Sequence, residues 1–270
     1  MSTLLAVDIG NTNVTLGAFR DGVLQATWRF ATDGRRTADE HSVLIDSLMR
    51  WKGLDARDMD AAILCSVVPP VTASLEASVR DLCGAGPMLI GRGTRTGIRI
   101  SYDRPQDVGT DRIVDAVAAY NTYGGPCVVV DLGTATVFDA ITSDGEYVGG
   151  AISTGMMLSA EALYQHTSQL RRVEPRAPGA AIGRNTAEAM QSGLVYGYVG
   201  LVEGMVARFK KELSPDDPGA CHVVATGGLA RVIAGQSEAL PVVDEDLTLQ
   251  GLRMLHEMNT APATGPEGRR

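Results

Sequence analysis

Two Asp-x-Gly triplets carry residue types able to do chemistry. Asp8 and Gly10 lie in "VDIGNTNVT", residues 7–15, and Asp131 and Gly133 lie in "VDLGTATV", residues 130–137. Each triplet ends a short apolar run. Gly permits a tight turn there, neighbouring N–H groups face outward, and Asn11, Thr12, Asn13 and Thr15 add polar side chains. A concave set of such donors suits phosphate oxygens. A carboxylate repels phosphate directly, yet serves it through a hydrated divalent cation, because Mg2+ keeps most of its waters and takes only one or two carboxylates. Two facing cradles of this kind suit a nucleoside triphosphate held between two halves of a chain.

The triplets belong to a longer echo. Val7, Asp8, Gly10, Val14, Asp21 and Gly22 recur in order and at the same intervals as Val130, Asp131, Gly133, Val137, Asp144 and Gly145. Internal duplication is the economical explanation. The first half opens with predicted strands over 4–9, 14–19 and 23–30, with Asp21-Gly22 as a hairpin signal. Further strands are expected over 61–67 and 221–226. Apolar periodicity predicts helices over 37–51, 70–83, 111–120, 156–166, 185–213, 229–233 and 247–258, the first opening with Thr37 and Glu40 in capping-box spacing. The pattern is that of an α/β protein of two related domains, 1–123 and 124–258. Turn residues cluster at the boundary, Tyr123-Gly124-Gly125-Pro126, and residues 259–270 read as a flexible tail.

Composition narrows the choice. The 270 residues are 44% hydrophobic and suffice for one large domain or two modest ones. A net charge of -8 argues against nucleic acid as a partner. The basic run "GRGTRTGIR", residues 91–99, reads as a solvated loop. Four cysteines without a C-x-x-C pair fit a reducing cytoplasm, with Cys65, Cys127 and Cys221 as small buried hydrophobes. Neither a signal peptide nor a membrane anchor is expected. His41, His166, His222 and His256 lack metal-ligand spacing, and Trp28 and Trp51 read as core.

"VVATGGLA" offers a third contact. A predicted strand ends at Thr226, and Gly227-Gly228 would let a flat ring approach the backbone, although such a pair alone can simply make a turn. Hairpin, hairpin and Gly-Gly in this order resemble the superfamily of acetate and sugar kinases, actin and the heat-shock chaperone ATPase domain. The resemblance implies two duplicated actin-like (ribonuclease H-like) domains with a nucleotide cleft between them. A P-loop is excluded, since no G-x-x-x-x-G-K-[ST] is present.

A kinase of this kind also needs a group to position and deprotonate its acceptor. In "SYDRPQDVGTDRIVDAVAAY", Asp111 stands at a helix start beside Arg112. It could merely complement the macrodipole. It could also accept a hydroxyl proton while the guanidinium holds an anionic substrate. Together, "LLAVDIGNT", "CSVVPP", "GTDRIVDAVAAY", "VVVDLGTAT", "IGRNTAEAMQSGLVYGYVG", "VVATGGLA" and "LTLQGL" resemble, in order, the type III pantothenate kinases.

That resemblance implies ATP-dependent phosphorylation of pantothenate to 4'-phosphopantothenate, the first step of coenzyme A synthesis. It implies ATP contacts from Asp8, Ile9, Gly10, Asn11, Thr12, Asn13, Val14, Thr15, Thr134, Gly227 and Gly228, with Asp8 directing Mg2+ through water. Asp111 would be the general base. Tyr102, Gly109, Thr110, Asp111 and Arg112 would hold pantothenate, and Thr186 would reach substrate across a homodimer interface, although it also suits a helix start behind the N-cap Asn185. Asp131 would bind a monovalent cation, K+ or NH4+. Thr154 and Val137 depart from the family pattern, which often has Pro and Thr there. The alternative is a catalytically silent relative with a regulatory or accessory role. A sugar or acetate kinase and an actin-like structural protein fit the short chain and its "GTDR" less well.

Overall fold

The computed structural model describes residues 2–261. The chain divides into two compact units, one running up to Gly97 and resuming at Leu249, the other Ile98–Thr248.

The first unit opens with β1 (Thr3–Ile9), β2 (Asn13–Arg20) and β3 (Val23–Ala31), an antiparallel meander. Asp21 and Gly22 turn the second hairpin with φ of 49° and 78°, the left-handed pair that a two-residue hairpin needs. Helix α1 (Ala38–Trp51) then crosses over to β4 (Ala61–Ser66), and α2 (Pro69–Cys83) leads to the short β5 (Met88–Leu89). The strand order is β3-β2-β1-β4-β5, with β4 parallel to both β1 and β5. Thr37 caps α1 reciprocally with Glu40, as the spacing predicts. The apolar stripe of α1 buries Ile45 and Met49, that of α2 buries Val71 and Leu75, and β1 contributes Leu5 and Val7 to the same core. Each such side chain contributes about 1.5–3 kcal/mol relative to exposure.

The second unit opens with β6 (Arg99–Ile100) and α3 (Thr110–Tyr123). A second meander follows: β7 (Cys127–Leu132), β8 (Ala135–Ile141) and β9 (Glu146–Thr154). Next come α4 (Met156–Gln165), the 28-residue α5 (Thr186–Leu213), β10 (His222–Thr226), α6 (Ala230–Ala234) and β11 (Val242–Val243). The order is β11-β10-β7-β8-β9-β6, with β10 parallel to β7. Leu194, Val195, Val202 and Val206 of α5 close over Val128 and Val130 of β7. The last helix, α7 (Leu247–Thr260), begins at the end of this unit, and its residues from Leu249 pack with the first.

Three expectations meet a different outcome. The meander does recur, but α3 packs on β7 and β8, so the units part at Gly97 rather than after Tyr123. Helix α7 continues through Asn259 and Thr260, and residues 262–270 of the expected tail lie outside the described residues. Trp28 is core, whereas Trp51, at the end of α1, is 81% exposed.

Candidate active site

The turn between β1 and β2 is built by backbone. Asp8 pairs with Thr15 and Ile9 with Val14, and the Gly10 N–H donates to the Asn13 carbonyl at 3.0 Å. Thr32, just beyond β3, pins this turn. Its N–H donates to the Thr12 carbonyl at 2.9 Å and its hydroxyl to the Gly10 carbonyl at 2.7 Å. Asn11, Thr12 and Asn13 are thereby held exposed at the tip, while Asp8 is half-buried and accepts from the Cys65 thiol at 3.5 Å.

The matching turn in the second unit is tighter. Leu132 pairs with Thr136 and Asp131 with Val137, and the Gly133 N–H donates to the Ala135 carbonyl at 3.0 Å. Thr134 is fixed by its carbonyl, which accepts the Gly155 N–H at 3.1 Å. Parallel pairing sets Thr226 of β10 beside Asp131, so the chain leaves β10 directly at this carboxylate. Gly227 turns there with φ of 90°. The structure thus joins two sequence candidates, Asp131 and Gly227. Gly228 is exposed, and Thr186 is exposed at the start of α5, behind an Asn185 cap that accepts the Glu188 N–H at 2.9 Å.

The third group gathers at the start of α3. Gly109 is the N-cap without a side-chain cap bond, Thr110 and Asp111 form the first turn, and Asp111 Oδ1 accepts the N–H of Arg112 at 2.8 Å. Burial pushes the Asp111 carboxyl above the usual carboxylate range, and the neighbouring Arg112 offsets only part of that. The Arg112 guanidinium does not pair with Asp111. Its Nε and Nη2 both donate to Asp139 Oδ1 on β8, at 3.0 and 2.6 Å, and the Tyr147 hydroxyl of β9 donates to the same oxygen at 2.7 Å. Arg112 lies over the Tyr147 ring at 5.8 Å, and the Tyr102 and Tyr147 rings stand 6.3 Å apart. Burial works against the charged guanidinium, and Asp139 more than offsets it, so Arg112 stays above its ordinary value. Burial also pushes the Asp139 carboxyl up, yet the two-donor geometry is that of an ion pair.

Asp139 and Tyr147 were not among the sequence candidates. The available signal was an acid inside the apolar run "VFDAI", since a carboxylate inside a strand core must find a partner. Gly150 gives this cluster its room. A Cβ there would overlap the Phe138 carbonyl oxygen and stand 2.7 Å from Arg112 Nη2 and 2.9 Å from Asp139 Oδ1. Gly150→Ala is therefore expected to destabilise the protein by about 1–3 kcal/mol. It should also disturb the Arg112–Asp139 pair, and thermal melts combined with substrate KM measurements check both effects.

The first unit thus holds one Asp-x-Gly turn, and the second holds the other together with an Asp beside a part-buried Arg. The chain is 48% identical over 256 residues to the type III pantothenate kinase of Geobacter sulfurreducens, covering 95% of this chain and 99% of that one. It is also 48% identical over 258 residues to the type III pantothenate kinase of Myxococcus xanthus, covering 96% and 99%. Among solved structures, a glucokinase of the ROK family from Streptomyces griseus, in complex with glucose and AMPPNP, aligns at a TM-score of 0.51 and 14% identity, covering 95% and 99%. A Campylobacter jejuni protein described as a Baf family transcriptional activator aligns at 0.59 and 19%, covering 94% and 98%. At these identities the two likenesses show a shared fold alone. The family model for type III pantothenate kinase matches residues 4–208. With three quarters of its length inside that match, the chain belongs to the type III pantothenate kinase family.

Proposed function

We propose that the protein transfers the γ-phosphoryl group of ATP to the primary hydroxyl of pantothenate, giving 4'-phosphopantothenate for coenzyme A synthesis. The observation that carries the residue assignment is the start of α3, where a part-buried Asp111 sits beside an Arg112 whose charge is taken up by Asp139. A base of raised proton affinity next to a fixed cation suits a hydroxyl-bearing, anionic substrate. In this reading Asp111 orients the hydroxyl and receives its proton. Arg112 grips the pantothenate carboxylate, and Tyr102, Gly109 and Thr110 shape the seat. Phosphoryl transfer depends mostly on positioning and electrostatics, so rigid placement of these groups matters as much as basicity.

Residues Asp8 to Thr15, Thr134, Gly227 and Gly228 contact the nucleotide in this reading. Among the described residues no cluster of three His, Cys, Asp or Glu could hold a metal ion. Asp8 and Asp131 are instead separate carboxylates, a donor set that fits cations arriving with water and phosphate oxygens of their own. Mg2+ at Asp8 and K+ or NH4+ at Asp131 would offset phosphate charge when bound. We further place the reaction in the cytoplasm, in line with the absence of disulfides among the four cysteines, and in a homodimer with Thr186 serving the partner's substrate. Among the described residues, no helix is long and apolar enough to cross a membrane.

The test is phosphopantothenate formation from ATP, Mg2+ and pantothenate, with K+ present or replaced by Na+. K+-dependent product is the expected result. Absence of product under every cation, from folded protein that binds nucleotide, would favour the regulatory alternative.

A further inference from the structure

Arg112 has two carboxylates within its neighbourhood, Asp111 next to it in sequence and Asp139 on another element, and it pairs with Asp139. Asp139 is 2% exposed, and three donors converge on its one Oδ1 oxygen. A buried ion pair is weak evidence of stabilisation, because apolar residues of the same volume commonly do as well. Its hold on the arginine that follows Asp111 in the chain therefore points to a role in the reaction.

We propose that Asp139, steadied by the Tyr147 hydroxyl, is a positioning residue: it holds Arg112 by Nε and Nη2, directs the remaining N–H groups to the substrate, and keeps the guanidinium off Asp111. This rests on the reading of Asp111 as base and Arg112 as substrate grip. Five N–H groups on a rigid plane let one guanidinium serve both Asp139 and a ligand. The bonds to Asp139 engage Nε and Nη2, which leaves both N–H groups of Nη1 for that second task. Gly150 and the Tyr147 ring pack close to the pair, so the plane has little freedom to rotate. The charged groups bearing on Asp111 are Arg112 and Asp139, while Tyr102 and Tyr147 bear on Arg112. Removing the negative charge of Asp139 leaves Arg112 to stabilise the Asp111 carboxylate, which makes Asp111 a weaker base.

The experiment is steady-state kinetics with ATP and pantothenate across pH, with thermal melts, on D139N, Y147F, R112K and the D139N/R112K pair. D139N is expected to lower kcat/KM for pantothenate by about 100-fold, the scale of a small misplacement of a reacting group. The KM for ATP should stay at the wild-type value, and the acid limb of the kcat profile should move to lower pH. Y147F keeps the ring and the carboxylate and should show the same pattern at about fivefold, the loss of one ordinary hydrogen bond. In the R112K background D139N should add less than about twofold, because the two act as one unit. Folded D139N with a wild-type pantothenate KM and acid limb overturns the proposal, as does a D139N effect that is equal with and without Arg112. If D139N does not fold, Y147F decides alone: a moved acid limb and raised KM support the proposal, and wild-type values overturn it. R112K with an unchanged pantothenate KM would sink the substrate role of Arg112 together with the proposal, whereas the earlier failures sink the proposal alone.

Discussion

Replacing Asp111 with Asn is expected to cut turnover by about 100- to 10,000-fold, the usual contribution of a positioned general base. Nucleotide affinity should persist, because the turns at Gly10 and Gly133 are held by backbone hydrogen bonds that do not involve α3. The variant should also melt higher than the wild type at neutral pH. Burial raises the folded-state affinity of Asp111 for its proton above the unfolded value. The favourable contribution of such a group is complete below the unfolded carboxylate range, near pH 4, and is lost as pH rises through the folded value. At pH 7 the wild type therefore carries a desolvated charge that Asn does not, and the advantage of D111N should fade on acidification towards pH 4. Less activity with more stability is the signature of a group kept for function. Wild-type kcat in D111N would remove Asp111 from the role of base.

The second large effect is expected at Gly227. Its φ of 90° lies where L side chains are strained, and an added Cβ would overlap Asp131 Oδ1 and stand 2.6 Å from the Leu132 carbonyl carbon and 2.7 Å from its nitrogen. Gly227→Ala should thus cost about 1–2 kcal/mol for the backbone and about 1–3 kcal/mol for the overlap. For a chain of this size that is a fall in Tm of about 5–15 °C. Gly53 separates the two causes. Its φ is 75° and nothing lies within 4 Å of its missing Cβ, so Gly53→Ala should show the backbone cost alone. A Gly227→Ala melt no lower than that of Gly53→Ala would mean that Asp131 and Leu132 yield to the methyl group. Because Asp131 is the proposed cation ligand, the K+ dependence of any remaining activity should weaken as well.

Much of this was legible in the chain because its causes are local. Thr37 and Glu40 are three residues apart and cap α1 by themselves, and Asp21-Gly22 supplies its own left-handed turn. The Asp-x-Gly echo was equally readable, but not its register. In the first meander Ile9 pairs with Val14, in the second Asp131 pairs with Val137, so the two valines aligned by the echo sit at different places. The shorter turn at Gly133 is followed by a longer one, with Ile141 pairing to Tyr147 around Asp144-Gly145, whereas Arg20 pairs to Val23 directly across Asp21-Gly22. Equal spacing in the sequence conceals this exchange because strand register depends on pairing between segments.

By itself, the sequence determined the two meanders, the positions of helices α1 to α7 among the described residues, the candidate base and, through its ordered motifs, the family. The tertiary structure alone decided that α3 joins the second unit, that Gly227 abuts Asp131, and that Arg112 pairs with Asp139 rather than with its neighbour. Turns and caps are set within a few residues, where local propensity acts. The Arg112 pairing is set by which strand lies beneath a helix, and a buried carboxylate draws in the donor that packing brings to it, however far apart the two lie in the chain.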